Sequence, residues 1–201
     1  MNKTKTLWLV ALGMLASTIA YAQSRAFHVA EDGGSRAMFT SDAPLETING
    51  VTSHVSGDLQ VDPTHLAQSR GTIEVQVGTI HTGIDLRDEH LRSESWLDAG
   101  RFPTARFELT NVTGATTLTP GQEARLTLQG HFTLHGRTHD VRATGRVTWV
   151  ADASGAGTNQ IRVRAHFGIR LTDYGISIPS IVELKVSNEI AVDVSLRATV
   201  R

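Results

Sequence analysis

The residues of this chain best placed to do chemistry are its nine histidines and a short run of carboxylates. His131, His135 and His139 recur at every fourth position, and regularly spaced imidazoles invite a zinc site. The local pattern argues against one. The segment alternates like a β-strand, so His131 and His135 share a face but lie ~13.6 Å apart, while His139 falls on the other face. Zinc holds its nitrogens about 2.0–2.1 Å from one centre, and these three do not converge. Asp88, Glu89 and Glu94 suit a paired-carboxylate acid–base site, yet they sit where a helix begins, and acidic residues favour that position for the helix dipole. No Gly-x-Ser-x-Gly elbow, His-Glu-x-x-His helix or Gly-x-Gly-x-x-Gly loop occurs, so the common hydrolase, zinc and dinucleotide signatures are absent. The expectation is a protein without a catalytic residue, metal ligand or cofactor: a binder, not an enzyme. A ligand-free structural or interaction barrel is the alternative, and a metal-binding or enzymatic barrel a more distant one.

The elements that carry these residues alternate with a period of two. Leu126, Leu128, Gly130, Phe132 and Leu134 face one way and Thr127, Gln129, His131, Thr133 and His135 the other. The same holds for Val141, Ala143, Gly145, Val147 and Trp149, for Ile161, Val163, Ala165, Phe167 and Ile169, and for Ile190 through Val200 at even positions. Such alternation marks half-buried antiparallel strands. Weaker versions occur around 27–30, 36–40, 51–61, 72–80 and 104–112, which makes eight or nine strands in one domain. A two-residue II′ turn at Gly136-Arg137 sets Phe132 opposite Val141 and His131 opposite Arg142. Only 88–98 reads as helix, stopped by Gly100 and Pro103. One short helix does not cover the apolar face of several long strands. The economical architecture is therefore all-β, a sheet closed into a single antiparallel barrel.

The first 22 residues read differently. Lys3 and Lys5 precede an apolar run from Leu7 to Ala20 that ends in Ala20-Tyr21-Ala22, the pattern of a cleavable signal peptide that leaves Gln23 first. The run is shorter than the ~20 residues that span a bilayer. Export to the periplasm is the expectation, with the barrel domain occupying 23–201. Without Lys3 and Lys5, 17 of the 19 basic residues remain, against 20 acidic ones. The remaining basic residues are scattered, so no nucleic-acid partner is expected. There is no cysteine, hence no disulfide framework. Core burial alone must stabilise the fold, and roughly 180 residues bury about 70% of their unfolded surface.

Several segments together resemble the YceI family. They are Leu86-Arg87-Asp88-Glu89-His90-Leu91-Arg92-Ser93, Trp96-Leu97-Asp98, and Arg101-Phe102-Pro103-Thr104-Ala105-Arg106-Phe107. Further matches are Gly130-His131-Phe132-Thr133-Leu134-His135-Gly136-Arg137-Thr138, Tyr174-Gly175-Ile176, and Val192-Asp193-Val194-Ser195-Leu196-Arg197-Ala198. The resemblance implies an extended, lipocalin-like barrel of eight strands, usually periplasmic, that holds polyisoprenoids, isoprenoid quinones or long-chain lipid amides. The N-terminal third departs from that pattern at 43–50, where a plainer strand pair is expected.

If the barrel is hollow, its lining is the apolar face of the C-terminal strands: Leu128, Phe132, Leu134, Ala143, Gly145, Val147, Trp149, Val163, Ala165, Phe167, Ile169, Val192, Val194 and Leu196. Small residues among them, together with Gly130, argue for space beside the bulky ones. The implied partner is an apolar small molecule, an isoprenoid or another long-chain lipid. Transient contact with a membrane or membrane proteins, and pairing into a homodimer, are both compatible with this. Each buried methylene contributes ~0.8 kcal/mol, so a twenty-carbon tail offers ~16 kcal/mol before ordering costs. A ligand held this way needs few polar contacts and leaves no sharp motif.

Overall fold

The computed structural model describes residues 24–201; the leader expected over 1–22, and Gln23 after it, lie outside the described residues. Ten strand segments follow in order: β1 (Arg25–Val29), β2 (Arg36–Asp42), β3 (Thr47–Thr52), β4 (Val55–Val61), β5 (Arg70–Gln76), β6 (Thr104–Gly114), β7 (Glu123–Leu134), β8 (Arg137–Ala151), β9 (Gly157–Arg170) and β10 (Glu189–Val200). The helix α1 (Asp85–Arg92) lies between β5 and β6.

The ten segments make eight barrel strands. β10 pairs with β1 near its C-terminal end, Phe27 opposite Val200, and with β2 over the rest, from Ile190 opposite Ser41 to Ser195 opposite Arg36. β1 pairs in turn with β4, and β2 with β3. Segments β1–β2 and β3–β4 are thus two long strands, each broken once. The single segment expected over 51–61 is interrupted at Ser53-His54, where the chain bends from β3 into β4. The departure at 43–50 is a hairpin turn and the strand β3 that returns along β2. From β4 the order runs β5-β6-β7-β8-β9-β10, every neighbour antiparallel, and β1–β10 pairing closes the ring. The all-β barrel inferred from alternation is the fold.

The register of the β7–β8 hairpin differs from the sequence expectation by two residues. Leu134 faces Arg137, Thr133 faces Thr138, His131 faces Asp140 and Gly130 faces Val141; Phe132 lies opposite His139. The turn is His135-Gly136, with φ of 50° and 70°, a type I′ turn in place of the expected II′. A two-residue shift keeps every side chain on its own face, so alternation does not distinguish the two registers. Tertiary contacts support the observed one. His135 Nδ1 donates to the Tyr174 carbonyl at 3.1 Å, and its ring meets Phe102 edge-on at 4.9 Å.

The helix also departs from expectation, starting at Asp85 and ending at Arg92 instead of running over 88–98. Asp88 is not a solvated charge. It is 5% exposed and accepts hydrogen bonds from the Thr82 backbone N–H at 2.7 Å and the Thr82 hydroxyl at 2.6 Å. This anchor fixes the first turn earlier than propensity alone suggests. Ser93 ends the helix: its N–H and its hydroxyl both donate to the His90 carbonyl.

The interior has two zones. At one end Phe27, Val29, Ile161 and Ala198 are fully buried in a solid core. Trp149 closes the wall there, with its indole N–H on the Thr158 carbonyl at 2.6 Å and the Arg25 guanidinium 4.7 Å from its ring. The 3₁₀ turn Leu66–Gln68 brings Leu66 against this end. Toward the other end, where α1 and the loops 43–46 and 171–188 gather, the interior is hollow.

Candidate functional site

Strand alternation turns one apolar face of every barrel strand inward, and these faces do not meet in the middle. They enclose a cavity of about 570 Å³ with an almost wholly apolar lining. That is within the range of about 300–1,000 Å³ typical of small-molecule sites.

Of the residues expected to line it, Leu128, Phe132, Leu134, Ala143, Val147, Val163, Ala165, Phe167, Ile169, Val192, Val194 and Leu196 do so. Gly145 and Trp149 do not. A Cβ on Gly145 would stand 3.0 Å from Leu128 Cδ1, so the space beside this glycine is already taken by a neighbouring strand's side chain. Gly130 is covered in the same way: a Cβ there would stand 2.6 Å from Phe107 Cζ. Trp149 belongs to the solid end. Sequence reasoning missed the greater part of the lining, including Leu59, Ile73, Val75, Phe107 and Leu109. Alternation in β4 and β5 signals the first three. In β6 the register shifts between Leu109 and Asn111, and this bulge disguises the return of Val112 to the inner face.

The open end is built from three loops. The Leu45 N–H donates to the Leu184 carbonyl at 2.9 Å, tying the β2–β3 turn to the segment after the 3₁₀ turn Ser180–Val182. Arg87 of α1 donates from Nη1 to Glu46 at 2.6 Å and from Nε to the Thr82 hydroxyl at 2.8 Å. Arg87, Glu46, Thr82, His90 and Lys185 therefore make the polar part of the mouth, and each borders the cavity. Large apolar side chains surround them in solvent: Ile181 is 90% exposed and Leu45 68%, with Leu86, Leu184 and Ile84 each more than half exposed.

Burial raises the pKa of Asp88, but hydrogen bonds from Thr82 and the charges of Arg92 and His81 outweigh it and hold the carboxyl below its ordinary value. The ionised carboxylate thus locks Thr82, which in turn orients Arg87 at the mouth. Three buried hydroxyls lie on the lining. Ser41 Oγ accepts from the Ser187 N–H at 2.9 Å, and Thr52 and Thr79 share a bond of 2.7 Å. The Ser69 hydroxyl, at the deep end, has no partner among the described residues.

The histidines form no common centre. His131, His166 and His28 each pair across strands with one aspartate, Asp140, Asp193 and Asp58, on the outer face. His139 Nε2 donates to the Asp173 carbonyl at 3.0 Å. Among the described residues no three potential ligands cluster to hold a metal ion.

A smaller polar cleft lies in the barrel wall. β8 joins β9 only from Thr144 onward, opposite His166. Short of that point Thr138–Val141 and Gly168–Arg170 border a cleft lined also by Tyr174. The Tyr174 ring packs edge-on against Phe132 at 5.8 Å and His139 at 5.0 Å. Burial and the Asp173 charge push its hydroxyl up to about 12, so it stays protonated.

Known proteins share this fold. The model for the YceI-like domain matches residues 28–198. A UPF0312 protein of Vibrio cholerae is 28% identical over 177 residues, which cover 83% of this chain and 89% of that protein. Burkholderia cenocepacia BcnA superposes with a TM-score of 0.68 at 18% identity, over 85% of this chain and 99% of that one. A polyisoprenoid binding domain from Saccharophagus degradans, implicated in plant cell wall breakdown, gives 0.67 at 16% identity, over 89% of this chain and all of that domain. At such identities the structural likeness is one of fold.

Proposed function

Because the chain belongs to the YceI-like family, we propose that it is a periplasmic carrier that holds a polyisoprenoid, an isoprenoid quinone or another long-chain lipid inside its barrel. The observation that carries this reading is the cavity of about 570 Å³, whose apolar lining begins at a mouth of exposed leucines and isoleucines and ends against a solid core. Such a lining does not orient a polar substrate, but it gains free energy with every methylene that leaves water. The likeness to a polyisoprenoid binding domain supports the same ligand class. The leader-like sequence over 1–22 supports export.

The mouth itself is bordered by polar groups, Arg87, Glu46, Thr82, His90 and Lys185. The apolar rim around them suits transient contact with a bilayer from which the lipid is drawn, because a chain leaving through this end never has to cross open water. A homodimer joined through the same rim is the competing use of that surface. The role proposed is binding, because the apolar residues bordering the cavity are suited to hold a tail.

The test is ligand-dependent stability of delipidated protein. A lipid bound only by the folded state should raise the unfolding free energy by ~2.7 kcal/mol at a hundredfold excess over its dissociation constant. A melting temperature indifferent to quinone, polyisoprenol and fatty amide alike contradicts the proposal.

A further inference from the structure

The deep end of the cavity contains one polar group that the fold leaves unused. Ser69 is 4% exposed, borders the cavity, and its hydroxyl has no hydrogen-bond partner among the described residues. It immediately precedes β5, where Gly71, Ile73 and Val75 line the cavity. The period of two therefore puts the Ser69 side chain on the inner face as well. Arg70 also borders the cavity, and its Nη1 donates to the carbonyls of Ala67 and Ser69. Ser69 thus offers a neutral donor in an apolar setting, near Leu66 and Val61, at the end farthest from the mouth. The Ser41 and Thr52 hydroxyls, equally buried on the same lining, are satisfied by the protein itself.

A buried hydroxyl left without a partner is costly, and a pure hydrocarbon pressed against it offers none. We propose that Ser69 is a ligand-binding residue: the deep end takes a small neutral oxygen, a carbonyl or hydroxyl, so the cavity selects long-chain amphiphiles that enter oxygen end first. This rests on the carrier reading and adds the ligand's orientation and its chemical class, an alcohol or carbonyl compound in preference to an alkane.

The experiment compares hexadecanol and hexadecane as competitors for a naphthylamine fluorophore bound to delipidated protein. Wild type should prefer the alcohol by at least about fivefold, the lower end of what an unsatisfied buried hydroxyl implies. Ser69→Ala should remove most of that preference while leaving hexadecane affinity unchanged or improved. Ser69→Thr, which keeps the hydroxyl, should retain the preference. A preference that survives in Ser69→Ala overturns the inference, since the oxygen then sits at the mouth or a water satisfies the serine. Equal affinity of wild type for both competitors overturns it too, with the carrier reading intact. Failure of both to displace the fluorophore, together with no thermal stabilisation by any lipid, overturns the carrier reading and the inference with it.

Discussion

His131 Nδ1 stands 2.7 Å from the Asp140 carboxylate, directly across the hairpin of β7 and β8. This pair marks the true register, because the alternative with Gly136-Arg137 as the turn sets His131 against Arg142. The protein has no cysteine, so the register is open to a clean crosslinking test. Thr133 and Thr138 share a hydroxyl hydrogen bond of 2.8 Å. They form the non-hydrogen-bonded pair next to the turn, where Cα atoms approach within about 4.5 Å, close enough for a disulfide. Thr133→Cys with Thr138→Cys should oxidise readily, and Thr133→Cys with Asp140→Cys should not. Efficient crosslinking of the second pair would restore the other register.

The barrel and much of its lining are legible in the sequence because alternation is a local property. Leu128, Phe132 and Phe167 are read as inward from their neighbours alone, and the structure places them inward. What alternation does not carry is anything set between elements. The hairpin register shifts by two without moving any side chain off its face, and His135 adopts its positive φ with Tyr174 and Phe102 packed against it. Gly130 and Gly145 signal space in the sequence, yet Phe107 and Leu128 reach across from other positions to fill it. Asp88 looks like a helix-start charge until Thr82 is seen folded onto it. The mouth is least legible, since Leu45, Ile84 and Ile181 come from separate loops that only the closed ring gathers at one end.

Asp88 predicts a pH signature. Its carboxyl is held below the ordinary value, so the stability it contributes is present above the unfolded-state pKa, about 3.9, and is lost as pH falls through the lower folded value. Asp88→Asn should cost about 1–3 kcal/mol at neutral pH through its weakened bonds to Thr82. In thermal melts the gap between variant and wild type should stay constant down to about pH 4 and narrow below it. A gap that widens in acid would contradict the assignment.

Exposed apolar residues at the mouth predict lipid-surface binding. Leu184→Asp combined with Ile181→Asp should reduce co-sedimentation with phosphatidylcholine vesicles several-fold. Both side chains are more than half exposed, so stability should change by no more than about 0.5 kcal/mol per substitution. Loss of a dimer on gel filtration, with vesicle binding unchanged, would assign the rim to self-association instead.

Filling the cavity should separate binding from folding. Ala165 lines the cavity, whereas Gly145 lies beneath Leu128. Ala165→Phe should therefore lose lipid and retain a cooperative melt. Gly145→Leu should mainly overpack, at a cost of about 1–3 kcal/mol. Similar large destabilisation by both, with lipid retained in each, would mean that the space beside Ala165 is not where the ligand lies.

The most direct measurement is organic extraction and mass spectrometry of the protein purified without detergent from the periplasm of a quinone-containing host. The account predicts a long-chain isoprenoid, quinone or fatty amide at close to one molecule per barrel, much reduced in Ala165→Phe. Wild-type protein that carries no lipid, and that after solvent treatment takes up neither quinone nor fatty amide, would contradict it and leave a barrel whose cavity serves no carrier.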